Sequence, residues 1–569
     1  MASNNPYAKV HEADQERLIA AAHRTRRRVV AGFSAVILLC ILVAIVVGVS
    51  LGNKGKSRQQ DQSVSSDIKS ICDVTLYPDS CYSSLAPLVG SGHFRPQDIF
   101  RLSVQVAVNE LLNASKEFSA DGGLKNLNVT DTNTLAALES CQELLFLAIY
   151  HLNTSLSVDG LTLLEAFDDL RTWISAAGTC QETCIDGFKN SSLSSIVLQK
   201  LKNSTEFTSN SLAIITSIES SIVSLGSIGN RRLMGIDDMP EWVSRRDRKL
   251  IEATNSSIVA DAVVAQDGSG EYKTISAALN DAPSNSKQRY VIYIKKGVYV
   301  ENVRIEIAKR NVMMIGDGMN STVVSGSLNF VDGTPTFSTA TFAVFGQGFI
   351  ARDMGFLNTA GAPKQQAVAL LSSSDQSIFF RCRIDAFQDT LYSHSNRQFY
   401  RECDIYGTVD FIFGNSAVVF QNCNILARKP MSGQQNTITA QGKIDPNQNT
   451  GISIQNCTVS PAEDLTGVSS YLGRPWKNYS TTVYMQTVIS GFVDPKGWLP
   501  WQGAAAAPDT VFYGEYQNSG PGGVTYGRVN WTGLHLNMTS KQAGKYTVSS
   551  FIKGQKWIPA ANITYNSGL

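Results

Sequence analysis

At 569 residues the chain is too long for one ordinary domain, and 43% hydrophobic content with 17% charged residues reads as globular and excludes an intrinsically disordered protein. Lys plus Arg number 49 and Asp plus Glu 48, a net charge of +1 that points to no nucleic-acid partner. Residues 251–569 carry 25 basic against 22 acidic side chains; a surplus of three would mildly favour a polyanionic substrate, but it is ordinary over that length.

Residues 1–28 are polar and end in Arg24-Thr25-Arg26-Arg27-Arg28, and an apolar run without charge extends from Val29 to Leu51. A run of about 20 apolar residues spans a bilayer, and the basic flank predicts a cytoplasmic N-terminus. A cleaved secretory signal has a shorter apolar core nearer the start and a small-residue cleavage site. The expectation is therefore a type II signal anchor at residues 29–51, a membrane partner for the chain, with everything after it lumenal or extracellular. Twelve Asn-x-Ser/Thr sequons, among them Asn113, Asn128, Asn203, Asn456 and Asn530, agree with that placement.

Residues 60–226 change to helical periodicity. Asp98 to Leu112, Leu135 to Leu152 and Leu161 to Ala177 place apolar residues three and four apart, the stripe of an antiparallel, four-helix-bundle domain. Cys72 and Cys81, nine apart around Tyr77-Pro78, can close a small hairpin; Cys141 and Cys180 can tie two helices, leaving Cys184 over. Residues 227–250 form a polar linker with two basic clusters, Arg231-Arg232 and Arg245-Arg246-Asp247-Arg248-Lys249, open to a protease.

From 251 to 569 the pattern is β. Ile258 to Val264, Tyr290 to Ile294 and Asn311 to Ile315 are strand-like, Thr274 to Leu279 is one short helix placed to cap an open sheet end, and Ser540 to Phe551 is expected to be a last helix. Between them one motif repeats: Phe379-Phe380-Arg381-Cys382-Arg383-Ile384, Phe399-Tyr400-Arg401-Glu402-Cys403-Asp404-Ile405, Val419-Phe420-Gln421-Asn422-Cys423-Asn424-Ile425 and, after an insertion, Ser453-Ile454-Gln455-Asn456-Cys457-Thr458-Val459. The first three cysteines fall 21 and 20 residues apart, the period of a coiled parallel β-solenoid.

Stacked coils carry a chemical consequence. Asp389 and Asp410 each stand seven residues after a repeat cysteine, so they occupy one position on successive coils, about 4.8 Å apart in the strand-stacking direction. Two carboxylates that close cannot both ionise freely, and an ionised one beside a protonated one is a nucleophile beside a general acid. The same pair could instead decorate a turn or hold calcium. Gln388 precedes Asp389, and Gln366 falls in the neighbouring coil; paired amides suit an oxyanion hole. Arg474 in Leu472-Gly473-Arg474-Pro475-Trp476 can clamp a carboxylate, and Trp476 can wall a sugar face. Tyr392 and Phe413 follow the two aspartates and serve equally as sugar-stacking faces or as core.

Together with Gly297-Val298-Tyr299-Val300-Glu301, Gln366-Ala367-Val368-Ala369-Leu370, Gln388-Asp389-Thr390-Leu391 and Asp410-Phe411-Ile412-Phe413-Gly414, in that order, these motifs resemble the plant pectin methylesterases. The resemblance implies a right-handed parallel β-helix that removes methyl groups from the galacturonate esters of pectin. It implies Asp410 as nucleophile, Asp389 as acid then base, Gln366 and Gln388 as anion stabilisers, and Arg474 and Trp476 as positioning and substrate-binding groups, with Thr336 and Phe337 lining the groove. No metal or other cofactor is expected. The helical region resembles the pectin methylesterase inhibitor domains, fused ahead of the enzyme as a pro-region, and the basic clusters look like sites at which a subtilisin-like protease releases the mature enzyme to the cell wall. Stacking brings Cys382, Cys403 and Cys423 all within bridging range; the family pattern favours Cys403 with Cys423, and a ladder of free buried thiols is the alternative. Rival readings are a pectate lyase or polygalacturonase on the same kind of solenoid, which lack the glutamine pair, and a catalytically silent protein whose helical domain acts on other esterases.

Overall fold

The computed structural model describes residues 68–89, 95–119, 123–124, 131–158, 163–226, 259–561 and 563–569. The expected anchor at 29–51, the segment before it and the basic linker lie outside the described residues.

A short helix, α1 (Pro78–Leu85), precedes four long ones: α2 (Pro96–Glu117), α3 (Thr132–Leu156), α4 (Leu163–Asp186) and α5 (Ser194–Gly226). Helix α3 packs on α2 and α4, and α5 packs on α2 and α4, so each long helix buries its apolar stripe against two others. Asp131 caps α3 by accepting from the Thr134 N–H at 2.9 Å. Helix α3 is also long and apolar enough to cross a membrane by length and composition, but 56% of that window is buried within the protein. The whole of α5 escaped the periodicity argument because its face is rich in Ser and Thr. Ser204 and Thr208 are buried there, their hydroxyls turned back onto the Leu201 and Ser204 carbonyls, so polar residues occupy core positions.

Cys72 bridges Cys81, and Cys141 bridges Cys184 with Cα atoms 4.6 Å apart, leaving Cys180 a free buried thiol. The expected Cys141–Cys180 pairing is thereby corrected: positions 180 and 184 lie one helical turn apart on one face of α4, and the crossing with α3 sets the second opposite Cys141.

The β region winds into three parallel sheets of 11, 7 and 8 strands; seven coils each add one strand to every sheet in turn, and incomplete coils at the ends supply the remaining strands of the other two sheets. Alignment is close to residue-for-residue: Phe379 pairs with Tyr400, Tyr400 with Phe420 and Phe420 with Ile454. Side chains at one coil position therefore stack, and the Phe379, Tyr400 and Phe420 rings lie 4.7 Å apart in succession. The residue before each repeat cysteine (Arg381, Glu402, Asn422, Asn456) has φ between 50° and 55°, a left-handed corner that turns the chain sharply from one sheet to the next.

Cys382, Cys403, Cys423 and Cys457 follow one another inside the solenoid, all buried and all free. The expected Cys403–Cys423 bridge is absent because equivalent side chains on parallel coils point the same way; the Cys403 Sγ–H donates to the Phe379 carbonyl at 3.3 Å, and the Cys382 N–H donates to Cys403 Sγ at 3.4 Å.

Helix α6 (Ile275–Asp281) seals the first coil, burying Ile275, Ala278 and Leu279 in the solenoid core. Glu301 accepts the first two N–H groups of α6 at 2.9 and 3.0 Å. At the other end the expected single helix over Ser540–Phe551 is broken into two four-residue turns, Ser540–Ala543 and Val548–Phe551, joined by a 3-10 turn at Gly544–Tyr546. Val548, Ile552, Trp557 and Ile558 then cover the outer face of the 11-stranded sheet against Ile350, Ile378, Phe399 and Val419.

Candidate active site

Asp389 and Asp410 occupy the left-handed corners leading into strands Leu391–Ser393 and Ile412–Gly414, with φ of 59° and 52°. Leu391 aligns with Ile412, and the Asp389 N–H donates to the Val409 carbonyl at 3.0 Å, so the two carboxylates face out of neighbouring coils side by side. A non-glycine residue in this backbone region carries strain of about 1–2 kcal/mol, tolerated best by Asp and Asn.

The two aspartates sit in different surroundings. Arg474 grips Asp410 with a two-pronged ion pair, Nε to Oδ1 at 2.8 Å and Nη2 to Oδ2 at 2.7 Å. Thr437 adds a second hold: its hydroxyl donates to Asp410 Oδ1 at 2.6 Å and accepts the Asp410 N–H at 2.9 Å. Asp389 has neither. Burial first, and the Asp410 charge second, hold the Asp389 carboxyl well above the ordinary carboxylate range, against the opposing pull of Arg474. Arg474 thus pairs with both oxygens of one carboxylate, while burial and that neighbouring charge favour the protonated form of the other.

Gln366 and Gln388 pair as an isolated parallel bridge between adjacent coils, and the Ala367 N–H donates to the Gln388 carbonyl at 3.2 Å. The Gln366 Oε1 is buried without a hydrogen-bond partner among the described residues. Trp476 leans over the site, its ring 6.1 Å from that of Phe413, and Phe413 stacks on Tyr392 at 4.1 Å. Gly442 makes room for the indole: a Cβ there would stand 2.8 Å from Trp476 Cε3. Tyr392 and Phe413 are almost fully buried, Tyr392 also meeting Thr183 Oγ1 at 3.4 Å, so in the intact chain both act as packing.

One cavity of about 650 Å³ joins all of these: Thr336, Phe337, Gln366, Gln388, Asp389, Tyr392, Asp410, Phe413, Arg474 and Trp476 line it. Trp501 lines it too, with the Arg474 guanidinium 4.6 Å from its ring centroid. Neither Trp501 nor Thr437 was picked out from the sequence. Thr437 stands in the same column as the aspartates, since Ile412 aligns with Thr439, but the insertion before it breaks the 20-residue spacing that would have revealed it.

The far wall of the cavity is the helical region. Thr134, Ala137, Ser140 and Leu144 of α3 and Thr183 and Asp186 of α4 close the groove from above. Ion pairs and hydrogen bonds hold them there. Lys477 meets Glu182 at 2.5 Å and Asp186 at 2.7 Å; Arg397 meets Asp169 at 2.7 Å; Arg304 pairs with Glu143. Trp173 Nε1 donates to Asp375 Oδ2 at 3.3 Å, and His394 sits between Ser373 at 2.6 Å and Thr183 at 3.0 Å, its pKa pushed down by burial to about 3. Among the described residues no group of three or more His, Cys, Asp or Glu side chains converges as a metal site.

Comparison with known proteins agrees with this arrangement. Residues 261–555 match the pectinesterase family model and residues 66–214 the plant invertase/pectin methylesterase inhibitor model. The chain is 48% identical to the probable pectinesterase/pectinesterase inhibitor 46 of Arabidopsis thaliana, over 99% of both chains. It is 47% identical to pectinesterase 3 of Phaseolus vulgaris, over 90% of this chain and 88% of that one. Among solved structures, the pectin methylesterase from carrot is 53% identical and is matched along 100% of its chain by 56% of this one, with a TM-score of 0.54.

Proposed function

Because this chain belongs to the pectinesterase family and carries an inhibitor-type helical domain ahead of its solenoid, we propose that it demethylesterifies pectin by attack of Asp410 on the galacturonate methyl ester. Asp410 adds to the ester carbonyl carbon, and the amides of Gln366 and Gln388 stabilise the oxyanion. Asp389 gives its proton to the departing methoxide, which leaves as methanol, and the Asp410–galacturonate anhydride remains. Asp389, now ionised, takes a proton from water as the hydroxide adds to the anhydride carbonyl; collapse frees the galacturonate carboxylate and restores Asp410. The observation that carries this reading is the division of labour in the pair: Arg474 bonded to both oxygens of Asp410, and Asp389 buried beside it with a raised pKa.

The same proposal includes the finer architecture and life history of the chain. A right-handed winding and a closed four-helix bundle are expected from the resemblance, and the mutual packing of α2 to α5 supports the second. The groove lies under α3 and α4, so the helical domain inhibits the solenoid until a subtilisin-like protease cuts the 227–250 linker. Residues 29–51 anchor the precursor in the membrane, and the freed enzyme acts in the cell wall.

The test is methanol release from methyl-esterified pectin. The chain without residues 1–250 should be active and the intact chain nearly silent. Asp410→Ala and Asp389→Ala should each abolish release while the fold survives. Full activity in either variant would overturn the assignment, and chain shortening without methanol would favour a lyase or glycosidase.

A further inference from the structure

Alternate residues of a strand face the same way, and on the strand Asn436–Gln441 the side chains of Thr437, Thr439 and Gln441 are all buried. Their partners differ. Thr437 bonds Asp410, Thr439 Oγ1 donates to the Leu472 carbonyl at 2.9 Å two residues before Arg474, and Gln441 reaches the loop that carries Trp476. Gln441 closes that loop at both ends: its carbonyl accepts the Trp476 N–H at 3.2 Å, and its side-chain Oε1 accepts the Thr481 N–H at 2.8 Å. The Ser480 hydroxyl donates to the same carbonyl, and Oε1 also takes the Lys443 N–H at 3.0 Å. The remaining polar group, Nε2, donates to Asn415 Oδ1 at 3.0 Å. Thr450 donates to that oxygen at 2.6 Å, and Asn415 Nδ2 donates to Gln448 Oε1 at 3.0 Å, so solenoid residues set the orientation of both amides. In the intact chain Asn415 Nδ2 donates as well to Thr179 Oγ1 of α4 at 2.9 Å, but the bonds to Gln441 and Gln448 do not depend on it.

Gln441 does not itself line the cavity, so whatever it does for the reaction it does through the residues it holds. Its next neighbour, Gly442, is the surface on which the Trp476 indole rests. A shift of residue 441 therefore moves both the backbone that bears the indole and the floor beneath it. We propose that Gln441 is a positioning residue for the sugar-facing wall: braced by Asn415, it fixes the loop from Trp476 to Thr481 so that the indole is in place before substrate arrives. The assignment rests on the esterase reading, in which Trp476 lies against the galacturonate, and it divides two tasks along one strand. Thr437 holds the group that attacks, and Gln441 holds the group that binds.

The experiment uses solenoid freed from the full chain by cutting at a protease site inserted in the 227–250 linker; the carrot chain, matched along its whole length by 56% of this one, is a solenoid that stands alone. Methanol release and equilibrium binding of de-esterified oligogalacturonate are measured for the parent, Gln441→Leu, Gln441→Glu, Trp476→Ala and the double variant Gln441→Leu with Trp476→Ala. Gln441→Leu leaves two buried N–H groups without their acceptor and should raise KM and weaken binding on the order of 10-fold, the worth of one aromatic contact, with kcat little changed. A contact made through Trp476 cannot be lost twice, so the double variant should bind no more weakly than Trp476→Ala. Gln441→Glu keeps the shape and the accepting oxygen, and supplies a readout that packing alone would not move. Protonated, its carboxyl donates to Asn415; ionised, it opposes the Asn415 oxygen. Its KM relative to the parent should therefore rise with pH, and this variant decides the matter if Gln441→Leu does not fold. Parental KM and binding in Gln441→Leu, a flat KM ratio across pH in Gln441→Glu, or effects of Gln441→Leu and Trp476→Ala that add in full would each overturn the positioning role. Parent that binds the oligomer but releases no methanol would overturn the esterase reading, and the binding measurements would still decide the role of Gln441.

Discussion

Thr437→Val replaces a hydroxyl by a methyl of nearly equal volume at a position 1% exposed, so its effect is the loss of two hydrogen bonds rather than of packing. One is the 2.6 Å bond donated to Asp410 Oδ1, which to a charged acceptor contributes about 1.5–3 kcal/mol. The other is the bond accepted from the Asp410 N–H, whose loss leaves a buried donor unpaired at about 1–3 kcal/mol. The two share a residue and do not simply add, so a stability loss of about 3–5 kcal/mol is expected by urea unfolding of the intact chain. Arg474 still holds the carboxylate, but with the strained corner no longer pinned from the next coil Asp410 shifts, and a displacement of about 1 Å lowers a rate on the order of 100-fold. Methanol release by the freed solenoid should show kcat falling on the order of 10- to 100-fold with KM little changed, since Thr437 is not part of the groove wall. Thr437→Ser, which keeps the hydroxyl, should recover most of the rate. A folded Thr437→Val with parental kcat, or a Ser variant as slow as Val, would refute the positioning role.

The pair Trp173→Ala and Asp169→Ala strips α4 of its contacts to Asp375 and Arg397 and should raise methanol release by the uncut chain several-fold; unchanged activity would remove this contact from the inhibitory docking. Burial and the Asp410 charge raise the Asp389 pKa in the folded chain above the value of about 3.9 that an unfolded carboxylate has. The folded state then binds more protons than the unfolded one, so stability falls as pH rises above about 4. Asp389→Asn should abolish that contribution, gaining on the parent in urea midpoints as pH is raised from about 4 toward 8; parallel curves would contradict it. Cys184→Ala opens a bridge spanning 43 residues and should lower stability by about 4 kcal/mol on the chain-entropy estimate, whereas Cys180→Ala should leave the bridge intact. Thiol titration under denaturing conditions distinguishes the two pairings.

What could be read from the chain alone was whatever depends on a short period. The cysteine repeat near 20 residues announced the coil, and equal offsets from it put Asp389 beside Asp410 before any coordinates, because parallel strands preserve register. The helical stripes of α2, α3 and α4 and the hairpin bridge between Cys72 and Cys81 are likewise local. Helix α5 was not legible: its buried Ser and Thr satisfy themselves on the backbone of their own helix, which hides a core face behind polar letters. Thr437 was lost to an insertion that leaves the coil geometry intact while shifting the count. The cysteine pairings went wrong for a related reason: spacing says which thiols are near, but only the crossing of α3 with α4 selects Cys184, and only the common direction of stacked side chains leaves Cys403 and Cys423 apart. The covering of the groove is a matter of tertiary structure outright. Nothing in the order of residues joins Asp186 to Lys477 or Asp169 to Arg397, almost 300 and over 200 positions apart; those pairs exist because a helical surface and a solenoid surface with opposite charges at these points are brought face to face.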